Sequence, residues 1–418
     1  MFHHNVISGL SPNLLKSSKP VICVGAGLTT REFLLECRES NKSLYKRILY
    51  CMDDDLSKKK LLDKKIIPIS KDISDDFLYL IVTSVDSIRY ILKDKLYALG
   101  IDKKKIFTHK VDFYITKNIM KEFNDLTYNV IECGASNITP QIYVLKDELL
   151  NSINIHAFEP DANEIKRLKS NNEYSQYNYY NAIVDKPNQK SRKLHQISLL
   201  KDGSWTFHKP NEKHTDKYRD FYSREKHSVY KTVSFNNITT IDKVVKKIDE
   251  DIDYLYINID SAELYALQGA EKSLKNSKIS IVEVETYFNR YYKGQPLFDK
   301  VNRLMCKNGY ELLSLNKANN NIPISSPFKI DGEKIVHMNG IYIRKNIKIK
   351  NIQQIVILEL LGFPLSAFDA LLDLYNSLSN KKKLKKSIEK VIYKSYQSYK
   401  NHYDEFLSFD EFIKFKDS

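Results

Sequence analysis

Short apolar runs that stop at polar residues alternate with stretches of helical period along most of this chain. "PVICVGAG" (20–27) is a β-branched run ending in glycines, and "TTREFLLECRES" after it keeps its apolar residues on one helical face. "RILYCMDDD" (47–55), "FLYLIVTS" (77–84) and a segment near "KIFTH" read as further strands, with a helix through "SIRYILKDKLYALG". Strands separated by helical patterns predict a parallel sheet with right-handed crossovers, in a domain covering 1–115.

The alternation restarts near 128. "YNVIECGAS" (128–136), "INIHAFEPD" (153–161) and "YNYYNAIVD" (177–185) are predicted strands, followed by a polar stretch over 186–228. "YKTVSF" (230–235) resumes strand character and "TTIDKVVKKI" is helical. "DYLYINID" and "ISIVEVE" (279–285) are buried strands, "LFDKVNRLMCKNG" a helix and "YELLSL" a strand, and "GIYIRK" (340–345) is expected to close the sheet. This second domain spans 120–349. Residues 350–418 are helical throughout, with "LSAFDALLDLYNSL" clearly amphipathic; oligomerisation or packing on the second domain is the default role of such a tail.

Composition narrows the picture. No stretch of the 418 residues approaches the roughly 18–20 apolar residues of a membrane span. "MFHHNVISGLSPNLLKSSKP" has no basic start followed by an apolar run, so no export signal is expected. Cys23, Cys37, Cys51, Cys133 and Cys306 lack CxxC spacing, which indicates neither a disulfide framework nor a zinc site and points to the cytoplasm. The net charge of +14 comes with a Lys-rich composition and no nucleic-acid motif, so nucleic acid is not the expected partner.

Candidate chemistry sits at strand ends, where open parallel sheets bind ligands. In the first domain, Gly25 and Gly27 open a helix after a strand, and Asp53 ends the next strand as a ribose acceptor would. Thr30 stands where a full dinucleotide fingerprint has its third glycine, and no YxxxK pair follows, which weakens a nucleotide-sugar oxidoreductase. In the second domain, Glu132 and Gly134 follow the first strand, Glu159 the second, and Asn181 and Asp185 the third. Asn258 and Asp260 end the next, and Glu283 and Glu285 the one after. Asp260, Glu263 and Glu283 are the candidate catalytic acids, with Glu285 beside them; Asn258 is no base, because an amide takes no proton at neutral pH. His195, His208, His214 and His227 lack metal-ligand spacing, so no metal is expected. Trp205 is placed to stack on a sugar or to anchor its loop.

"VIECGAS", "HAFEP", "NAIVD", "TTIDKVV", "YINIDSAELYALQGAEKSL", "VEVE" and "NGYELL" carry, in order, a resemblance to the FkbM-type family of S-adenosylmethionine-dependent methyltransferases over about 128–316. The resemblance implies S-adenosylmethionine as cofactor and O-methylation of a sugar in a surface glycan or its nucleotide-linked precursor. It implies Glu159, with Pro160, at the ribose and the Glu132–Gly134–Ala135–Ser136 turn beneath the methionine part. Asn181, Ala182 and Asn258 are further cofactor-binding candidates. The resemblance also implies a Rossmann-like methyltransferase fold for that segment. With the first domain's strand–helix alternation and the helical tail, the expected fold class is α/β: two Rossmann-like doubly wound sheets, the second of methyltransferase type, plus the helical tail. The family usually has Asp, Glu and Gly where this chain has Asn258, Asp260 and Ser261. That altered corner supports a rival reading, a non-catalytic methyltransferase-like module binding glycan or a partner.

Overall fold

A computed structural model of the chain describes residues 10–400 apart from 11, 27, 55–58, 71–75, 83–85, 109–112, 136–144, 146–147, 150–151, 171–176, 198–204, 216–217, 220–228, 324–333, 345–351 and 379–380. The chain divides into two compact units. The first takes in Met1–Glu122, Thr139–Glu148 and Leu358–Ser418, and the second Phe123–Ile138 and Leu149–Ile357.

The first unit is built on β1 (Val21–Val24), β2 (Ile48–Met52), β3 (Lys60–Leu61), β4 (Lys64–Ile67), β5 (Leu78–Ile81) and β6 (Ile106–Thr108). They lie in the order β3-β4-β2-β1-β5-β6, parallel except for the β3–β4 pair. Successive strand residues face opposite sides. Val21 and Cys23 therefore join an apolar cluster with Phe33, Leu34 and Cys37, while Ile22 and Val24 join another with Leu92 and Leu96. Helices Leu28–Ser40 and Asp86–Ala98 thus cover the two faces.

The tail helices Pro364–Ser377 and Lys382–Lys400 belong to this unit, not to the second, where packing was one of the two expected roles. The buried Glu359 carboxylate explains the choice. It accepts hydrogen bonds from the Ile115 and Thr116 amides at 2.9 and 2.6 Å, satisfying orphan N–H groups in the first turn of helix Tyr114–Glu122. Asn118 donates to Ser395 at 3.1 Å and Ser387 to Glu122 at 3.0 Å along the same helix.

In the second unit the main strands are β7 (Tyr128–Cys133), β8 (Ile153–Phe158) and β9 (Tyr177–Tyr180). Two short ladders follow: β10 (Ile183–Val184) pairs with β15 (Ile238–Thr239), and β11 (Arg192–Ile197) lies between β12 (Trp205–Thr206) and β14 (Val229–Phe235). With β13 (Tyr218–Arg219), β16 (Ile252–Ile257), β17 (Ile279–Tyr287), β18 (Tyr310–Pro323) and β19 (Lys334–Arg344), the large sheet has the order β13-β18-β19-β17-β16-β7-β8-β9. From β9 to β17 the strands are parallel, and β19 runs antiparallel to both β17 and β18. Both units therefore carry a doubly wound Rossmann-like sheet, and the antiparallel β19 gives the second its methyltransferase-type form.

Three expectations are revised. "GIYIRK" does not close the sheet, because its strand inserts between β17 and β18. The third predicted strand of this unit breaks after Tyr180, and Ile183–Val184 leaves to pair with β15. The polar stretch after Asp185 holds strands, legible only weakly because β11 carries Arg192, Lys193 and Gln196 among its buried residues.

In the core, Ile131, Cys133, Leu255, Ile257, Val282 and Val284 face helices Ile241–Ile248, Glu263–Gln268 and Phe298–Lys307. By the same alternation the opposite face of these strands carries Glu132, Tyr254, Tyr256, Glu283 and Glu285.

Candidate active site at the strand ends of the second sheet

The site begins where β7 and β16 end side by side. Gly134 turns with φ +89°, its amide donating to Phe158 O at 3.0 Å, while the Asn258 amide donates to Cys133 O at 3.0 Å. A Cβ on Gly134 would stand 1.8 Å from Asn258 O, so backbone contact alone demands glycine here. Beyond Asn258 the chain bends through two left-handed residues, Asp260 (φ +47°) and Ser261 (φ +83°). Glu263 holds this bend: its Oε1 accepts from the Ile259 and Ser261 amides at 3.1 and 3.2 Å. Ser261 occupies a conformation that favours glycine, and its buried hydroxyl has no hydrogen-bond partner among the described residues.

A cleft opens against this corner, lined by Gly134, Phe158, Glu159, Pro160, Ala182, Trp205, Phe207, Asn258, Ile259 and Asp260 among others. Glu159 is buried, and its Oε1 accepts from the Asp161 amide at 2.8 Å. Burial pushes its carboxyl up to about 8. Asn181 is not among the lining residues; its amide donates to Pro160 O at 2.7 Å and to Glu159 O at 3.3 Å, holding the loop that carries Glu159. Trp205 lines the cleft and donates from Nε1 to Asp161 at 3.3 Å, so it both anchors its loop and borders the cavity.

Behind Asp260 lies a cluster of acids. Glu285 Oε1 is 2.8 Å from His337 Nδ1, and the Tyr287 hydroxyl donates to Glu285 Oε2 at 2.9 Å. Burial alone would raise Glu285, but the charge and hydrogen bond of His337, with the Tyr287 hydroxyl, hold it below its ordinary value. Burial, then the Glu285 carboxylate, push Asp260 up to about 7, against a lowering hydrogen bond from Tyr292. The same two causes raise Glu263 well above the carboxylate range. The ionised Glu285 therefore leaves Asp260 poised to exchange a proton near neutrality, the range that suits a general base.

Other candidates stand elsewhere. Glu283 accepts from the Tyr254 hydroxyl at 2.8 Å and the Asn339 amide at 2.6 Å, inside the sheet and away from the cleft's lining residues. Glu132 is likewise buried in β7, in register with Tyr256. Ala135 is buried, its amide donating to Phe158 O at 3.2 Å, and Ser136 lies outside the described residues. His195 bonds Thr232 at 2.8 Å within the β11–β14 ladder; the His214 side chain and His227 lie outside the described residues. In the first unit, Asp53 Oδ2 accepts the Ala26 amide at 2.5 Å. The Thr30 hydroxyl donates to Gly25 O at 2.8 Å, and Gly27 lies outside the described residues.

Sequence reasoning missed a cationic and aromatic wall beside Phe207. Arg192 pairs with the buried Asp185 at 2.6 Å and sits over the rings of Phe207 (5.1 Å) and Tyr265 (5.5 Å); Lys186 lies 5.3 Å from the Tyr265 ring. Asp185 is thus a structural anchor. Only the strand pattern of "RKLHQI" hinted at this wall.

Residues 132–312 match a family model described as Methyltransferase FkbM domain. This segment is an FkbM-type methyltransferase domain. Among solved structures, the methyltransferase FkbM from Methylobacillus flagellatus KT is similar at 11% identity, over 80% of this chain and 94% of that one, with a TM-score of 0.27. A TehB-like SAM-dependent methyltransferase from Corynebacterium glutamicum is similar at 11% identity, over 62% and 98% of the two chains, with a TM-score of 0.26. No curated protein sequence matches the chain. The FkbM match spans the Gly134 turn, Glu159 and the whole Asn258–Glu263 corner. Among the described residues no helix is long and apolar enough to cross a membrane.

Proposed function

We propose that the FkbM domain is an S-adenosylmethionine-dependent O-methyltransferase, acting on a sugar of a surface glycan or its nucleotide-linked precursor. The observation that carries this reading is the Asp260 carboxyl, held near neutrality by burial and Glu285, on the wall of the cleft that Glu159 and Gly134 also line. The residues present fit the cofactor. Glu159 offers a carboxyl to the two ribose hydroxyls, and the side-chain-free Gly134 lets a ligand approach the backbone. Pro160, Ala182 and Asn258 complete that side of the cleft.

When bound, S-adenosylmethionine supplies an electrophilic methyl group on a sulfonium. The chain's part is to hold the acceptor hydroxyl in line and to take its proton. Asp260 would accept that proton on its carboxylate, while the hydroxyl oxygen takes the methyl group, the sulfur–carbon bond breaks and S-adenosylhomocysteine leaves. Tyr292 steadies Asp260 by a hydrogen bond, and Glu263 fixes the backbone that presents it. Glu283 and Glu132 drop out of the chemistry on this reading. Release of S-adenosylhomocysteine over a panel of sugars and nucleotide sugars tests it. Turnover lost in Asp260→Asn with cofactor binding intact is the expected result. Cofactor binding with no turnover on any acceptor would favour the rival binding module, and absence of cofactor binding would sink the methyltransferase reading.

A further inference from the structure

Pro210 and Tyr292 form an antiparallel bridge, fastened by the Asn211 amide to Tyr291 O and the Lys293 amide to Lys209 O, each at 2.8 Å. The two segments so joined enclose a pocket lined by Asn211, Glu212, Lys213, Arg290, Tyr292 and Lys293, with Gly294. Asn211 spends its side-chain amide on Arg290 O at 2.8 Å, and Glu212 pairs with Lys293 at 3.2 Å. That leaves Lys213 and Arg290 facing the pocket without an acid partner among the described residues. Tyr292 connects this wall to the chemistry, because its side chain lowers the pKa of the Asp260 carboxyl while that carboxyl raises the tyrosine's. A ligand held by the cations therefore lies on a wall that shares Tyr292 with the candidate base.

We propose that this pocket binds the phosphate of a phosphate-bearing sugar acceptor and so presents one sugar hydroxyl to Asp260. The inference rests on the methyltransferase reading and narrows it from a finished glycan to a phosphorylated precursor. A guanidinium meets two phosphate oxygens at once, and flanking ammonium groups add charge without fixing orientation. Tyr292 then sets the reach between anion and reacting hydroxyl.

The test titrates inorganic pyrophosphate and, separately, S-adenosylmethionine into the full chain. It compares the wild type with Lys213→Gln/Arg290→Gln and with Lys382→Gln/Lys383→Gln, which removes the same charge from the tail helix. The expected result is pyrophosphate binding weakened at least about tenfold in the first variant and unchanged in the second, with S-adenosylmethionine affinity the same in all three. Pyrophosphate that does not bind the wild type, or that weakens equally in both variants, would overturn the anion pocket. Failure of S-adenosylmethionine alone to bind would overturn the methyltransferase reading, while the pyrophosphate comparison still decides the pocket.

Discussion

The two units of this chain repeat one local plan and use it differently. Each has a glycine with positive φ after its first strand, Gly25 at +97° and Gly134 at +89°, and an acid after its second, Asp53 and Glu159. In the first unit the acid closes on the turn: Asp53 takes the Ala26 amide, and Thr30 takes the carbonyls of Gly25 and Val82. In the second, Glu159 bonds within its own loop and leaves the Gly134 turn beside an open cleft, into which the β16 corner brings Asp260. The same strand–turn–helix unit is thus self-satisfied in one copy and open to a ligand in the other. Turn chemistry alone does not distinguish them; the partner of the acid does.

The largest expected effect lies at the turns themselves. Gly134→Ala drives a Cβ into Asn258 O and should cost more than about 4 kcal/mol, read as loss of folded protein in denaturant titration. Gly25→Ala meets Val82 O at 3.3 Å and carries mainly backbone strain, so about 1–3 kcal/mol is expected. Equal costs would erase the structural half of the contrast.

Next comes chemistry. Asp260→Asn should lower kcat by about 10²–10⁴-fold, with cofactor affinity little changed. In the wild type, Asp260 must be ionised to take a proton. The rate should therefore rise as pH climbs toward about 7 and level off above it, and this limb should vanish from any residual activity of the variant.

How much of this was legible beforehand depends on where partners lie in the chain. The parallel strands read clearly because burial on both faces makes them continuous apolar runs, as in "IDYLYI". Gly134, Glu159 and Asp260 read clearly because each ends such a run. Glu283 did not, since its partners Tyr254 and Asn339 are 29 and 56 residues away on neighbouring strands. The insertion of β19 and the tail's attachment through Glu359 were hidden for the same reason. His337 and Tyr292, which tune Asp260, had no local signal that tied them to it.

A smaller effect sharpens the corner. Ser261→Gly removes a buried, unpartnered hydroxyl and relieves a left-handed serine, and should stabilise the domain by about 1 kcal/mol in denaturant titration. No gain would mean that the serine is accommodated without strain.

The contrast between the units is tested most directly by calorimetric titration of S-adenosylmethionine into the full chain, its Glu159→Ala variant and its Asp53→Ala variant. The account expects one site per chain, weakened by about 1.5–3 kcal/mol on removing Glu159 and unchanged on removing Asp53. Binding undiminished by loss of Glu159, or weakened by loss of Asp53, would contradict it.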